Sequence, residues 1–156
     1  MVKIEILAPG KVKHGYLEEA LDDYLGRLRN YVTVSLREVK VHSSPTIQER
    51  HRQEVESGLL LNRVNQESFL IFLDQRGKQY SSQGLADFLK TMEERGRRLL
   101  SFVVGGPLGF TDRDRKRADL LLSLSQMTFT HDMCRVLLVE QLYRACTINQ
   151  GGKYHK

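Results

Sequence analysis

The sequence predicts an α/β protein built on a mostly parallel sheet with helices on both of its faces. Strand-like and helix-like segments alternate five times along the 156 residues, the pattern of a parallel sheet with crossover helices. Two short apolar runs, SFLIFLD at residues 68–74 and LLSFVV at residues 99–104, are typical of strands buried on both faces. The length and a hydrophobic content of 40% predict one globular domain spanning residues 1–156.

The first half of the chain contains two predicted strands and two predicted helices. VKIEILA, at residues 2–8, alternates as a strand should, and VTVSLREVKV, at residues 32–41, is rich in β-branched residues. Between them, apolar residues recur at helical spacing: Leu17, Leu21, Tyr24, Leu25 and Leu28. A second helix is predicted within residues 43–64, starting at Ser44 before Pro45. Its apolar side comprises Ile47, Val55 and Leu59.

The second half begins with the strand SFLIFLD and a helix at residues 81–98. That helix carries apolar residues at spacings of three and four: Leu85, Phe88, Leu89 and Met92. After the strand LLSFVV, Thr111 and Asp114 form a capping-box pattern that opens a helix over TDRDRKRADLLL, residues 111–122. A short strand at Gln126–Phe129 and a long helix from about Thr130 to Ile148 complete the prediction.

Composition excludes several classes of protein and of site. No apolar run approaches the roughly 20 residues that span a bilayer, and the N-terminus lacks the pattern of a signal peptide. A cytoplasmic location is therefore expected. Cys134 and Cys146 lie on one predicted helix, rotated about 120° from each other, so neither a disulfide nor a metal site is expected.

The charge of the chain is mildly basic, with 24 Lys and Arg against 19 Asp and Glu. The excess is concentrated in two clusters, Arg95–Arg98 and Arg113–Arg117. Such clusters are solvated helix faces in most proteins and nucleic-acid contacts in others. Charge alone leaves both interpretations open.

Two loops at predicted carboxyl ends of strands are the first candidates for a site, because ligands of α/β sheets bind there. They are LDQRGK, residues 73–78, and GGPLGF, residues 105–110. The second loop lacks the Lys and Ser or Thr of a phosphate-binding P-loop, and its glycines do not follow the dinucleotide pattern. Pro107 also removes one amide donor. The loop is either a tight turn that needs glycine for positive φ or a ligand contact.

The third candidate is the block LSLSQMTFTHDMCRVLLVEQLYRA, residues 122–145. Four successive apolar residues, Val136–Val139, cover more than one face of its helix and predict a homodimer interface. Glu140 and Arg144 are spaced as an i,i+4 pair, which in many helices is a plain surface salt bridge. The tail, Lys153–Lys156, either frays or swings its Tyr-His pair over a pocket.

Taken together, LDQRGK, VVGGPLGF, the block at residues 122–145 and the terminal YHK resemble the RlmH type of SPOUT RNA methyltransferase. The resemblance covers essentially the whole chain in motif order and spacing. It implies methylation of N3 of a pseudouridine in the helix 69 loop of large-subunit (23S) ribosomal RNA. It further implies S-adenosylmethionine as cofactor, action on assembled ribosomes, a homodimer and a C-terminal trefoil knot, which periodicity does not reveal.

The resemblance also implies which residues form the site. The cofactor pocket is expected to comprise Leu73, Gly105, Gly106, Leu124, Ser125, Gln126, Met127, Thr128 and Phe129. Arg144, Tyr154 and His155 are expected around the target base. His155 would assist deprotonation or orient the base, Tyr154 would pack on it or hydrogen-bond to it, and Arg144 would stabilise negative charge.

A different class of function is compatible with the same basic α/β chain. It is a module that binds ribosomal RNA without chemistry. Binding of S-adenosylmethionine distinguishes the enzyme from the module.

Overall fold

Parallel strands and helices alternate along the whole of the computed structural model, which describes residues 2–42 and 44–156. The strands are β1 (Lys3–Pro9), β2 (Thr33–Val39), β3 (Phe69–Gln79), β4 (Leu99–Val104) and β5 (Leu120–Ser123). The helices are α1 (Gly15–Leu28), α2 (Glu49–Leu61), α3 (Ser82–Glu94), α4 (Asp112–Arg115) and α5 (His131–Asn149). The strands form one sheet in the order β2-β1-β4-β3-β5, and every pairing is parallel.

Both faces of the sheet are covered, which confirms the predicted α/β class. Alternate residues of a strand point to opposite faces, and in β1 Ile4 and Ile6 enter a core shared with α1, α3 and α5. Leu7 enters a second core, which includes Leu60 and Leu61 of α2. The apolar runs of β3 and β4 are continuous because these strands pair on both edges and are buried on both faces.

The second helix begins later than its sequence signal predicts. Ser44 accepts hydrogen bonds from Ile47 N to its carbonyl, at 3.1 Å, and from Thr46 N to its hydroxyl, at 3.4 Å. These bonds close a local turn, so the helix starts only at Glu49. The predicted start at Ser44 is therefore wrong. Ser43, which the predicted segment included, lies outside the described residues.

The apolar side predicted for that helix also needs correction. Leu59 is 39% exposed, whereas Leu60 and Leu61 are buried under the sheet. Ile47 precedes the helix and Val55 is only partly buried. The helix therefore packs against the core through residues of its last turn.

The fifth strand lies earlier in the chain than the sequence predicts. The capping box is present, with Thr111 Oγ1 accepting from Asp114 N at 3.1 Å, but α4 is only one turn long. The Asp119 amide then donates to the Leu70 carbonyl at 2.8 Å, and the Asp119 carboxylate accepts from the Leu70 amide at 2.7 Å. These bonds align β5 with β3, so Leu120–Ser123 is a strand and Gln126–Phe129 lies outside the sheet.

The long C-terminal helix α5 lies on the sheet between α1 and α3. Thr130 caps it by accepting from Met133 N at 3.2 Å. Val136, Leu138 and Val139 are buried within the same chain. The apolar run is therefore explained without a second copy, and the homodimer stays a prediction. Over the described residues, no helix is sufficiently long and apolar to traverse a bilayer.

Candidate functional site

A cleft of about 1700 Å³ opens beyond the carboxyl ends of β3, β4 and β5. Leu73 within β3, Val104 at the end of β4 and Leu122 in β5 line it. The loops that follow supply its walls. Of the residues expected to hold a cofactor, the following line it together: Leu73, Gly105, Gly106, Leu124, Ser125, Met127, Thr128 and Phe129. Gln126 is exposed and does not line it.

The glycine-rich loop after β4 is held in one shape by its neighbours. The Gln53 side-chain amide of α2 donates to the carbonyls of Leu108, at 2.8 Å, and Phe110, at 3.1 Å. The Phe110 ring stacks on Phe72 with 4.4 Å between centroids. Gly109 has φ +68°, a conformation that favours glycine.

Gly105 has a packing role as well as a place in the cleft wall. A Cβ at Gly105 would lie 3.1 Å from the Phe110 ring, which is tighter than ordinary contact. At Gly106 the nearest atom would be the Glu56 carboxylate at 3.7 Å, which is an ordinary contact distance. The loop is therefore a tight turn and a cleft wall at once, so the two interpretations of its glycines are compatible.

The β3 side of the cleft carries an ion network that the sequence analysis missed. The Asp74 carboxylate accepts from Arg115 Nε of α4 at 2.6 Å and from the Arg76 amide at 2.9 Å. Arg115 Nη1 donates to Asp112 at 2.8 Å. Burial pushes the pKa of Asp74 upward, but the Arg76 amide and the Arg115 guanidinium outweigh it and hold that pKa below its usual value. The network fixes α4 against the end of β3.

A bulge in β3 makes that network possible. Leu73 and Lys78 both pair with Leu122 of β5, so the residues between them are looped out toward the cleft. A Cβ at Gly77 would lie 2.5 Å from the Leu121 backbone. The bulge requires glycine there because the two backbones nearly touch.

The segment between β5 and α5 forms the opposite wall. The Ser123 hydroxyl donates to the Ser125 carbonyl at 2.8 Å, and the Ser125 hydroxyl accepts from Met127 N at 3.0 Å. These bonds hold Met127 and Phe129 outward, with 74% and 39% of their surface exposed. Exposed apolar groups beside a cleft are available to a flat apolar ligand.

The N-terminal end of α5 closes this wall. His131 lines the cleft, and Asp132 next to it forms an ion pair with the fully buried Arg135 at 2.9 Å. Burial lowers the pKa of His131, while the Asp132 charge partly opposes that effect. The net effect favours the neutral imidazole of His131. Its position directly after a helix cap was the available sequence signal.

Two of the three residues expected around the target base, Arg144 and Tyr154, form a separate cluster with Glu140, called the tail cluster. Glu140 Oε1 accepts from Arg144 Nη2 at 2.6 Å and from the Tyr154 hydroxyl at 3.0 Å. The Arg144 guanidinium lies over the Tyr154 ring, 4.5 Å from its centroid. Burial, together with the Tyr24 hydroxyl and Glu140, raises the pKa of Tyr154. The pair at Glu140 and Arg144 thus anchors the tail rather than being a plain surface salt bridge.

The comparison with known proteins identifies the family. Residues 2–155 match the family model described as "Predicted SPOUT methyltransferase". The chain belongs to the SPOUT methyltransferase family. Members of this family use S-adenosylmethionine.

Curated relatives of this SPOUT methyltransferase match over their full length. The "Ribosomal RNA large subunit methyltransferase H" of Desulfotalea psychrophila is 47% identical, covering 99% of this chain and 100% of the relative. The protein of the same name from Trichlorobacter lovleyi is 38% identical, covering 99% of each. The resemblance to RlmH-type enzymes is confirmed by these relatives.

A solved structure is more distantly similar. The putative methyltransferase Lpg2936 from Legionella pneumophila, in complex with SAM, has a TM-score of 0.48 and 11% identity. The match covers 90% of this chain and 65% of that chain.

In this SPOUT methyltransferase the cleft and the tail cluster are apart. His131 and Cys134 line the cleft, whereas Arg144 lies about 15 Å beyond Cys134 along α5, at 1.5 Å per residue. Tyr154 packs back on α5, with its ring 4.6 Å from that of Tyr143, and His155 is exposed. None of Arg144, Tyr154 and His155 lines the cleft.

Metal chemistry has no candidate site in the described part of the chain. Across residues 2–42 and 44–156, no group of three or more His, Cys, Asp or Glu side chains is arranged to hold a metal ion. Cys134 and Cys146 are both free thiols in the structure. Burial raises the pKa of Cys146 to about 11, so this thiol is protonated at neutral pH.

Proposed function

We propose that this SPOUT methyltransferase methylates N3 of a pseudouridine in the helix 69 loop of large-subunit ribosomal RNA, in the cytoplasm and on assembled ribosomes. The observation that carries the proposal is the cleft at the carboxyl ends of β3, β4 and β5, lined by residues of the family motifs. The names of the full-length relatives support large-subunit RNA as the substrate. The resemblance described above supports the choice of atom and loop.

The cleft has the chemistry that S-adenosylmethionine requires. Leu73, Leu124 and Met127 provide apolar surface for a flat adenine, and the neighbouring loops provide backbone hydrogen-bonding groups. Asp74 and Arg115 supply fixed charges of both signs near the β3 bulge. We assign the cofactor to the residues expected from the sequence, of which Gln126 is exposed beside the cleft rather than in its wall. The cofactor, when bound, supplies an electrophilic methyl group.

The chain's own residues must hold the base in line and remove a proton from N3. N3 of pseudouridine carries an imide proton, and its loss leaves negative charge on the ring. In the proposal, His155 takes that proton or orients the base, Tyr154 packs on it, and Arg144 stabilises the anion. The guanidinium of Arg144 is already held by Glu140, so it is oriented before the substrate arrives.

The proposal includes a homodimer and the trefoil knot. In one chain Arg144 lies about 15 Å along α5 from Cys134, the last residue of that helix that lines the cleft, at 1.5 Å per residue. A second copy that brings its tail to the cleft of the first would unite the two. This separation supports the dimer more than the apolar run of α5 does, because that run is buried inside one chain. The knot would bring residues 105–110 and 124–130 together as the walls of the cleft.

A methylation assay on ribosomes that lack the modification tests the proposal. We expect methyl transfer from labelled S-adenosylmethionine, mapped to one pseudouridine at N3. Label at another base, or on protein, would contradict the proposed substrate. Calorimetry with S-adenosylmethionine provides the second test. A folded protein that gives no heat of binding would instead be the non-catalytic RNA-binding module.

A further inference from the structure

A basic aromatic surface, defined here as Lys11, Lys13, His14 and Tyr16, lies outside the cleft and the tail cluster. Tyr16 is 68% exposed, although tyrosine rings normally cover apolar surface. The His14 ring stacks on it, with 5.5 Å between centroids and 21° between planes. Both lysines are exposed on the segment that leads into α1. The surface therefore presents two flat rings beside two cations.

This surface is rigidly attached to the cleft wall. The Lys13 amide donates to Asp132 Oδ2 at 3.0 Å. The buried Arg135 donates from Nη1 to the Gly10 carbonyl, at 2.7 Å, and from Nη2 to the Pro9 carbonyl, at 2.8 Å. Arg135 also pairs with Asp132, and His131 beside them lines the cleft. One buried ion pair thus fixes the segment from Pro9 to Lys13 against the first turn of α5.

The arrangement suits single-stranded nucleic acid better than another protein surface. Aromatic rings bind unpaired bases by stacking, and neighbouring lysines bind the phosphates between them. A contact with a second copy would also favour tyrosine, but lysine is depleted at the centre of such interfaces. Glu18 and Glu19, exposed further along α1, limit the basic region to the segment before that helix and its first residues.

We propose that the basic aromatic surface binds ribosomal RNA next to the cleft, with Tyr16 and His14 stacking on an unpaired base adjacent to the methylated nucleotide. Lys11 and Lys13 contact the flanking phosphates. The inference rests on the proposed function for the identity of the RNA. It adds a place where the chain recognises its substrate independently of the cofactor. It also assigns a role to the buried pair of Arg135 and Asp132, because that pair fixes the position of the surface relative to the cleft.

Tyr16→Ala and Tyr16→Phe form the decisive pair of variants. Ribosomes lacking the modification are titrated in steady-state methylation, and their binding is measured separately by filter retention. We expect Tyr16→Ala to raise KM for ribosomes and the binding Kd at least five-fold, since stacking on one base contributes about that much or more. Tyr16→Phe keeps the ring and should stay within two-fold of the parent. The kcat and the Kd for S-adenosylmethionine should not change.

The double variant Lys11→Ala with Lys13→Ala tests the phosphate contacts. It should flatten the dependence of ribosome affinity on salt, reducing the log–log slope by about 1–2. Lys90→Ala, exposed on α3, is the matched control and should leave the slope as it is. An unchanged KM and slope in these variants would overturn the proposal.

Sedimentation of each variant separates RNA binding from contact between copies. A fall in molar mass with Tyr16→Ala would assign the surface to a second copy and overturn the RNA assignment. Failure of the proposed function has a different signature. In that case the parent protein would not methylate ribosomes, while filter retention would still depend on Tyr16 if the surface binds RNA.

Discussion

The cleft and the tail cluster are built in different ways. The cleft is shaped by backbone: a glycine loop after β4, a bulge in β3 and a serine-braced segment before α5. The tail cluster is shaped by side chains gathered around one carboxylate, that of Glu140, which binds Arg144 and Tyr154. A backbone-shaped site tolerates many side-chain changes and fails when a Cβ intrudes. A site gathered around one group fails when a single side chain is removed.

The two regions also differ in whether their side chains already have contact partners before any substrate binds. Met127 and Phe129 remain exposed at the cleft, whereas the polar atoms of Arg144 and Tyr154 are already engaged. The cleft is therefore ready to gain buried apolar surface on binding. The tail cluster is already ordered and can contribute electrostatics without first being arranged.

The largest effect is expected in the tail cluster. Arg144→Ala should lower kcat on ribosomes by about 10²–10³-fold, the usual cost of removing one preorganised group that stabilises developing charge. Calorimetry should find the affinity for S-adenosylmethionine within two-fold of the parent, because Arg144 does not line the cleft. Arg29→Ala, exposed at the end of α1, is the control. Equal loss of cofactor binding and turnover would show that the two regions are not independent.

Gly77→Ala should give the largest change in stability. The added Cβ would lie 2.5 Å from the Leu121 backbone, so β3 and β5 must separate. We expect a loss of about 1–3 kcal/mol in the free energy of unfolding, measured in urea. Gly26→Ala in α1, where nothing lies within 4 Å of the new Cβ, should instead stabilise the protein. A neutral Gly77→Ala would mean that the bulge is not rigid.

Gly106→Ala tests whether the backbone of the cleft contacts the cofactor. Its Cβ would have only an ordinary contact, 3.7 Å from Glu56, so stability in urea should be unchanged. If the cofactor approaches this backbone closely, affinity for S-adenosylmethionine should fall about ten-fold, or about 1.4 kcal/mol. Gly105→Ala would lose stability as well, because its Cβ meets the Phe110 ring. Unaltered affinity in Gly106→Ala would remove this residue from the cofactor contacts.

The smallest effect is expected from His131 as the pH falls. Its pKa in the folded protein lies below the ordinary 6.5, so the unfolded chain binds a proton more readily at this position. Stability should therefore be full above pH 6.5 and decline as the pH falls below it. His131→Gln should remove that decline between pH 7.5 and 5.5, as measured in urea titrations. His42→Gln, at an exposed position, should keep the parent profile.

The sequence predicts those parts of the molecule that depend on local pattern. The alternation of strands and helices, the capping box at Thr111 and the long helix from Thr130 are all present. The errors arise where contacts between residues far apart in the sequence determine the local structure. Leu120 to Leu122 continue an apolar helical pattern, but Asp119 hydrogen-bonds to Leu70 and draws them into the sheet.

The same distinction applies to the candidate site. The motif resemblance predicts nine cofactor residues, and all of them except Gln126 line the cleft. Their role in cofactor binding stays a prediction. The partners of Asp74 and Arg135 were not foreseen, since they lie 41 residues away on α4 and 125 residues away at Gly10. Nor could spacing reveal that Arg144 and the tail lie away from the cleft.

The pairing of β3 with β5 has a consequence for how the protein matures. Residues 69–79 leave the ribosome well before residues 120–123, and parallel pairing across such a separation is slow. A nascent chain that ends before β5 holds the segments of four strands and the glycine loop, but it lacks the wall formed by residues 124–131. Under the cofactor assignment proposed above, the capacity to bind the methyl donor arises only after residues 124–131 have been synthesised.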